Sequence, residues 1–143
     1  MSWLLDTNVV SEWTQPSPSP AVTAWICDSD ESQFFLSSVS IAELRFGIEL
    51  LPSGARRTRL DQWLEHELMP QFGTRILALD RAVADAAGRI SARSRKAGRP
   101  MALADALIAA TASVHSLVLA TRNSEDFAAT GIAVLNPFAG IRG

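Results

Sequence analysis

Along the chain, the apolar positions fall into short continuous runs separated by longer stretches with helical spacing. Trp3-Leu4-Leu5 is the first run, closed by Asp6, and Phe34-Phe35-Leu36 is the second. Ile76-Leu77-Ala78-Leu79, Leu117-Val118-Leu119-Ala120-Thr121 and Ile132-Ala133-Val134-Leu135 complete the set. Runs that are apolar at successive positions, rather than alternating, suit strands buried on both faces. Between them the period changes. Ser19 can cap a helix with Pro20 at its first position and Val22, Trp25 and Ile26 along its apolar stripe. A second helix is predicted from about Ser40 to Leu51, and Leu60, Trp63, Leu64 and Leu68 mark a third, ended by Pro70. Asp80 can cap a fourth, with Val83, Ala86, Ala87 and Ile90 facing inward and Gly98 and Pro100 beyond its end. The last, from about Ala102 to Ser113, is apolar nearly all round and is therefore expected to be central. This alternation predicts an α/β fold: a three-layer α/β/α domain around a parallel sheet of about five strands, with residues 1–143 forming a single domain.

Composition narrows the class. A chain of 143 residues that is 48% hydrophobic and 20% charged is globular and long enough to bury a core without staples. Its apolar runs are all shorter than the ~18 residues a membrane span needs. The start, Met1-Ser2-Trp3-Leu4-Leu5-Asp6, lacks the basic flank of a signal peptide. Cys27 is the single cysteine, which excludes an internal disulfide and makes the cytoplasm the expected compartment. With Cys27, His66 and His115 as the whole supply of soft ligands, a closed zinc site of Cys and His cannot be assembled. The net charge of −2 argues against a protein that is basic throughout, as constitutive nucleic-acid binders usually are. A local basic face remains open: twelve of the thirteen basic residues are Arg, the better phosphate fork, and Lys96 is the lone lysine.

Several familiar chemistries are missing. No two glycines stand as G-x-G, no Gly-Lys-Ser/Thr occurs, and there is no G-x-S-x-G elbow. The polar residues left in apolar surroundings are Asp6, Glu43, Asp105 and Asn123. Asp6 and Asn123 follow the first and fourth predicted strands. Glu43 is expected in the first turn of the helix after the second strand, and Asp105 near the start of the Ala-rich helix. In a parallel α/β sheet the strand C-termini and the starts of the crossover helices share one edge, where open sheets bind ligands. Four residues far apart in sequence are thus expected to meet. Carboxylates brought together raise one another's pKa unless they share a cation. Mg²⁺ and Mn²⁺ prefer oxygen ligands and bring waters and phosphates with them, so the set points to metal-assisted phosphate chemistry.

Each residue taken singly also has a structural role on offer. Asp6 can open a turn with Thr7-Asn8, and Ser40-Ile41-Ala42-Glu43 has the form of a capping box. Asp105 can answer a helix dipole, and Asn123 can cap a turn with Asp126 three residues on. His66 lies between Glu65 and Glu67 on a polar face, and His115 suits a helix C-terminus, so neither is read as a ligand. Two basic groups, Arg89/Arg93/Lys96 with Arg95 and Arg99 nearby, and Arg56/Arg57/Arg59, are either solvated faces or guides for an RNA backbone.

The segments Leu4-Leu5-Asp6-Thr7-Asn8-Val9-Val10-Ser11-Glu12, Ser40-Ile41-Ala42-Glu43-Leu44-Arg45-Phe46-Gly47 and Asp105-Ala106-Leu107-Ile108-Ala109-Ala110-Thr111-Ala112 follow one another in order. Thr121-Arg122-Asn123 with Asp126-Phe127, and Asn136-Pro137-Phe138, come after them. The ordered set, spread over nearly the whole chain, resembles the PIN-domain ribonucleases, and among them the toxins of VapBC-type toxin–antitoxin systems and their FitB-like branch. The resemblance implies a PIN-like α/β/α fold and a Mg²⁺- or Mn²⁺-dependent endoribonuclease that hydrolyses RNA with a metal-activated water, leaving 5′-phosphate and 3′-hydroxyl ends. Asp6, Glu43 and Asp105 match the family's three invariant acids. Asp6 and Asp105 match direct metal ligands, while Glu43 would ligate or position a second metal or the attacking water. Asn123 matches the fourth catalytic position, where many members have Asp; it offers a carbonyl oxygen without the charge. Thr121 could orient a ligand by its hydroxyl, and Asp126, in the same turn, could supply the charge that Asn123 lacks, although it is read as structural. The resemblance further implies a homodimer and a cognate VapB- or FitA-like antitoxin whose C-terminal segment blocks the acidic groove. DNA would then be met only through that antitoxin.

Other readings are weighed against this one. A haloacid-dehalogenase phosphatase needs Asp-x-Asp at the first strand, where this chain has Asn8, and a response-regulator receiver needs a lysine after a late strand, whereas Lys96 precedes the fourth. A degenerate PIN module that binds RNA or a protein without cutting is the non-enzymatic alternative. Intact Asp6, Glu43 and Asp105 speak against it and Asn123 speaks for it.

Overall fold

A computed structural model describes residues 1–139 of the chain. Five strands, β1 (Trp3–Leu5), β2 (Phe34–Ser37), β3 (Ile76–Leu77), β4 (Val118–Ala120) and β5 (Val134–Leu135), form a sheet of order β3-β2-β1-β4-β5. Every pairing is parallel, with Leu4 of β1 opposite Phe35 on one side and Leu119 on the other. The helices are α1 (Thr7–Val10), α2 (Pro20–Cys27), α3 (Ser38–Leu50), α4 (Ala55–Trp63), α5 (Met69–Phe72), α6 (Arg81–Lys96) and α7 (Leu103–Val114). The predicted α/β class and parallel sheet are present.

The continuous apolar strands bury both faces, as expected. Leu4 enters a core with Val83, Ala87 and Ile90 of α6 and Ile108 of α7, whereas Leu5 enters a second core with Val22, Trp25, Leu64, Leu68 and Phe72. Both leucines are fully buried. At roughly 1.5–3 kcal/mol for each such side chain, these two layers hold the helices onto the sheet. Trp3, Trp25 and Phe34 pack with ring centroids 5.1–5.7 Å apart, and Trp13 lies against Phe72, so these tryptophans serve the core.

The strands β4 and β5 are shorter than their apolar runs, and three further boundaries differ from the sequence reading for a physical reason. The helix of α3 starts two residues earlier than expected, because Ser37 rather than Ser40 accepts the capping bond, from the Val39 N–H at 3.0 Å. Pro70 does not end its helix. A π turn over Leu64–Leu68 resets the register, and Pro70 then sits in the first turn of α5, where its missing N–H is not needed. The third strand stops at Leu77: on the sheet edge, Ala78 and Leu79 leave the ladder, and the Leu79 N–H bonds Ser38 Oγ instead. Asp80 and Ser19 cap α6 and α2 as predicted. Among the described residues, no helix is long and apolar enough to cross a membrane.

From β1 the chain builds outward through β2 to β3, then returns across α6 and α7 to β4 and β5 on the other side of β1. The reversal opens a crevice at the C-terminal ends of β1 and β4, the ligand-binding position of open α/β sheets.

Candidate active site

Asp6 lies in that crevice. The residue directly follows β1, and its own N–H is fixed to Ala120 O of β4 at 2.9 Å. Its side chain caps α1 by accepting the Thr7 N–H at 2.7 Å, and Thr121, just past β4, donates its hydroxyl to Asp6 Oδ2 at 2.8 Å. Asn8 Nδ2 stands 3.5 Å from the same oxygen. Only 5% of Asp6 is exposed, and burial pushes its carboxyl up from 3.8 to about 6 against the lowering pull of the Thr121 and Thr7 bonds. The neighbouring charges of Asp105 and Glu43 add to the rise.

Glu43 is joined to Asp6 through one residue. Thr7 Oγ1 lies 2.7 Å from Glu43 Oε1 and 2.8 Å from Ser40 Oγ. With one proton to give, Thr7 donates to the carboxylate and accepts from the serine. Because α3 starts at Ser38, Glu43 falls in its second turn rather than its first, and Ser40 is a fully buried link to Thr7 rather than a cap. The capping-box role for Glu43 is therefore removed.

Asp105 sits in the first turn of α7, as expected. Its carboxyl is raised by burial first, then by the charges of Glu43 and Asp126. Asp105 and Asp126 line one cavity of about 400 Å³ with Gly98, Arg99, Pro100, Met101 and Ala102. Asp126 thus belongs to the acidic edge, a placement that its position in a cap-like turn concealed. Asn123 is exposed and precedes the Ser124–Thr130 turn without a side-chain capping bond, although its backbone N–H reaches Thr121 Oγ1 at 3.1 Å.

The electrostatics describe a cleft with more negative charge than its own donors neutralise. Among the described residues, no three His, Cys, Asp or Glu side chains stand close enough to enclose a metal ion by themselves. The donor set still fits a hard cation. Its ligands would be carboxylate oxygens, and Mg²⁺ usually takes only one or two of these and keeps several waters. His66 and His115 are exposed and away from the carboxylates that act on one another.

In the two basic groups read from the sequence, Arg57, Arg89, Arg93 and Arg99 have partners, while Arg56 lines a cavity with Thr7 and Glu43. Arg89 pairs with Asp85, Arg93 donates to Thr130 O at 3.0 Å, Arg99 to Glu125 O at 2.8 Å, and Arg57 pairs with Glu49. Sequence reasoning did not single out Glu12 and Arg122. Glu12 is 9% exposed; it accepts the Ser19 N–H at 2.7 Å and lies 3.6 Å from Arg122 Nη2. A buried acid six residues after Asp6 gives no periodic signal, and its cationic partner comes from a distant loop.

With this geometry in place, the family model for the PIN domain matches residues 3–133. The chain is a PIN-domain protein. This PIN domain is 42% identical over 135 residues to Toxin FitB of Neisseria gonorrhoeae, covering 94% of the chain and 97% of that protein. It is 38% identical over 135 residues to VapC ribonuclease Y4jK of Sinorhizobium fredii, covering 94% and 96% respectively. The PIN domain superposes with a TM-score of 0.92 and 38% identity on a chain from the structure of FitAB bound to an IR36 DNA fragment, covering 99% of this chain and 98% of that one. The resemblance read from the ordered motifs thus holds over almost the full length. PIN-domain nucleases in general use divalent metal ions.

Proposed function

We propose that this chain is a divalent-cation-dependent endoribonuclease, using Mg²⁺ or Mn²⁺, and the toxin of a type II toxin–antitoxin pair. One observation carries the reading: Asp6, at the end of β1, is tied through Thr7 to Glu43, and Asp105 opens α7 at the same switch-point crevice of a PIN domain, with the charge of Glu43 acting on both aspartates. Relatives named toxin and ribonuclease support it.

Asp6 and Asp105 would hold the cation. Thr121 and the Thr7 N–H fix the orientation of Asp6, and Asp126 adds the negative charge that Asn123 lacks. Asn123 keeps a carbonyl oxygen at the fourth position. A bound divalent cation supplies positive charge for the phosphoryl oxygens and makes water more acidic. Glu43, oriented by the Thr7 hydroxyl, positions the attacking water and takes its proton as the new P–O bond forms. The bond to the 3′ oxygen breaks in line and that oxygen takes a proton from solvent water, leaving 5′-phosphate and 3′-hydroxyl ends. A cognate antitoxin silences the enzyme by placing a basic side chain among the carboxylates, where a charge-assisted bond replaces the cation. The toxin acts in the cytoplasm as a homodimer and meets operator DNA only through the antitoxin.

The test is cleavage of total bacterial RNA by antitoxin-free protein, with Mg²⁺ or Mn²⁺ and with chelator, beside an Asp105→Asn control. Discrete cuts that need metal and vanish in Asp105→Asn are expected. RNA bound but left whole by the wild type in either metal would establish the non-cleaving module, the reading that Asn123 favours.

A further inference from the structure

Beside the carboxylate crevice runs a second groove of about 590 Å³, lined by Asn8, Ser11, Glu12, Gln15, Ser17 and Arg122. Its charge differs from that of the crevice. Arg122 contributes a guanidinium, and the remaining polar lining apart from Glu12 is neutral. The side chain of Arg122 is 54% exposed, yet its place is fixed from four directions. Its N–H donates to Asn8 Oδ1 at 3.1 Å, and its carbonyl accepts from Asn136 Nδ2 at 3.2 Å. Its guanidinium stacks on the Phe138 ring at 3.9 Å and approaches Glu12 Oε2 at 3.6 Å. Glu12, buried and tied to the Ser19 N–H, serves as a stationary counter-charge.

Those restraints leave most of the cation unspent. A guanidinium carries five N–H donors in a planar fork, and the ion-pair contact with Glu12 is longer than a hydrogen bond. Asn8 couples this cation to the crevice, since its amide reaches Asp6 Oδ2 and Thr121 Oγ1 while its oxygen holds the Arg122 backbone. The neighbouring crevice is strongly acidic and repels a polyanion, so a strand crossing it needs a cation held close by. Of the other arginines, Arg45, Arg57, Arg75, Arg89, Arg93 and Arg99 are each engaged with a carboxylate or a backbone carbonyl.

We propose that Arg122 forms a phosphate-binding subsite that grips a backbone phosphate of the RNA next to the one being cleaved. Glu12 and Phe138 pre-orient its guanidinium, and Ser11, Gln15 and Ser17 offer neutral hydrogen-bonding groups to the same stretch of strand. The inference rests on the ribonuclease reading above. Arg122 binds substrate without taking part in bond breaking.

The experiment is steady-state cleavage of an RNA oligonucleotide spanning a mapped cut, in Mg²⁺ over a series of NaCl concentrations. Wild type, Arg122→Gln and Arg122→Lys are compared, with folding checked by thermal melting. Arg122→Gln is expected to raise KM roughly tenfold, leave kcat within about twofold, and flatten the log–log salt dependence of kcat/KM by about one. Arg122→Lys is expected to restore the salt slope while recovering only part of KM, because an ammonium lacks the fork. An unchanged KM and salt slope in folded Arg122→Gln would overturn the subsite and leave Arg122 to an acidic protein partner. A fall in kcat at constant KM would also overturn it, by placing Arg122 in the chemical step. If the wild type cuts no RNA, the ribonuclease reading itself fails and the subsite fails with it.

Discussion

The carboxylate of Asp6 caps α1 at 2.7 Å from the Thr7 N–H while lying 95% buried among other acids, and it titrates near 6 instead of 3.8. The sign of its effect on stability follows from proton binding. Between about 4 and 6 the folded state holds a proton that the unfolded chain has released, so this contribution is full at low pH and is lost as pH rises through 6. A shift of this size amounts to about 3 kcal/mol. The shift of Asp105 has the same sign. Asparagine keeps the cap and the acceptor for Thr121 without the charge. Asp6→Asn should therefore stabilise chelator-treated protein at pH 7.5, by up to about 3 kcal/mol, with the gain vanishing near pH 4. Urea melts at the two pH values measure it; a destabilised variant at pH 7.5 would show that Asp6 is an ordinary capping residue. Asp6, Glu43 and Asp105 could be read from sequence because their motifs are local. The Ser40–Thr7–Glu43 hydroxyl chain and the Glu12–Arg122 pair could not, since each joins residues from separate elements.

Elements were legible where a cap and a period agree. Ser19 with Pro20, and Asp80 with the Val83/Ala87/Ile90 stripe, start α2 and α6 where the sequence places them. Legibility failed where two signals compete. Ser37, Ser38 and Ser40 all resemble caps, and burial of Ser40 against Thr7 decides among them. Pro70 looks like a terminator, and a π turn absorbs it. Where the cap is unambiguous its energy should be measurable. Asp80 Oδ1 accepts the Val83 N–H at 3.0 Å and is not among the charges that act on Asp6 or Asp105, so Asp80→Ala should cost about 1 kcal/mol and lower Tm by roughly 3 °C. RNA cleavage by that variant should be unchanged, as calorimetric melting and a cleavage assay together would establish.

At the scale of the whole molecule, the parallel order β3-β2-β1-β4-β5 gathers Asp6, Glu43, Asp105 and Asp126, from successive quarters of the chain, at one edge. Sequence alone supported that convergence because continuous apolar strands between helices imply a parallel sheet, and a parallel sheet puts strand ends and helix starts together. The charge balance at the edge was only half legible: Asp126, three residues past Asn123, reads as structural in the sequence, yet it lines the same cavity as Asp105. On the proposed reading, this edge holds a divalent cation in competition with protons. Calorimetric titration of Mg²⁺ into antitoxin-free protein at pH 7.5 and pH 5, with Asp6→Asn beside it, tests that most directly. Binding at pH 7.5 should weaken about tenfold at pH 5, where Asp6, titrating near 6, holds its proton, and should be lost in the variant. Equal affinity at both pH values, or Mg²⁺ binding retained by Asp6→Asn, would contradict it.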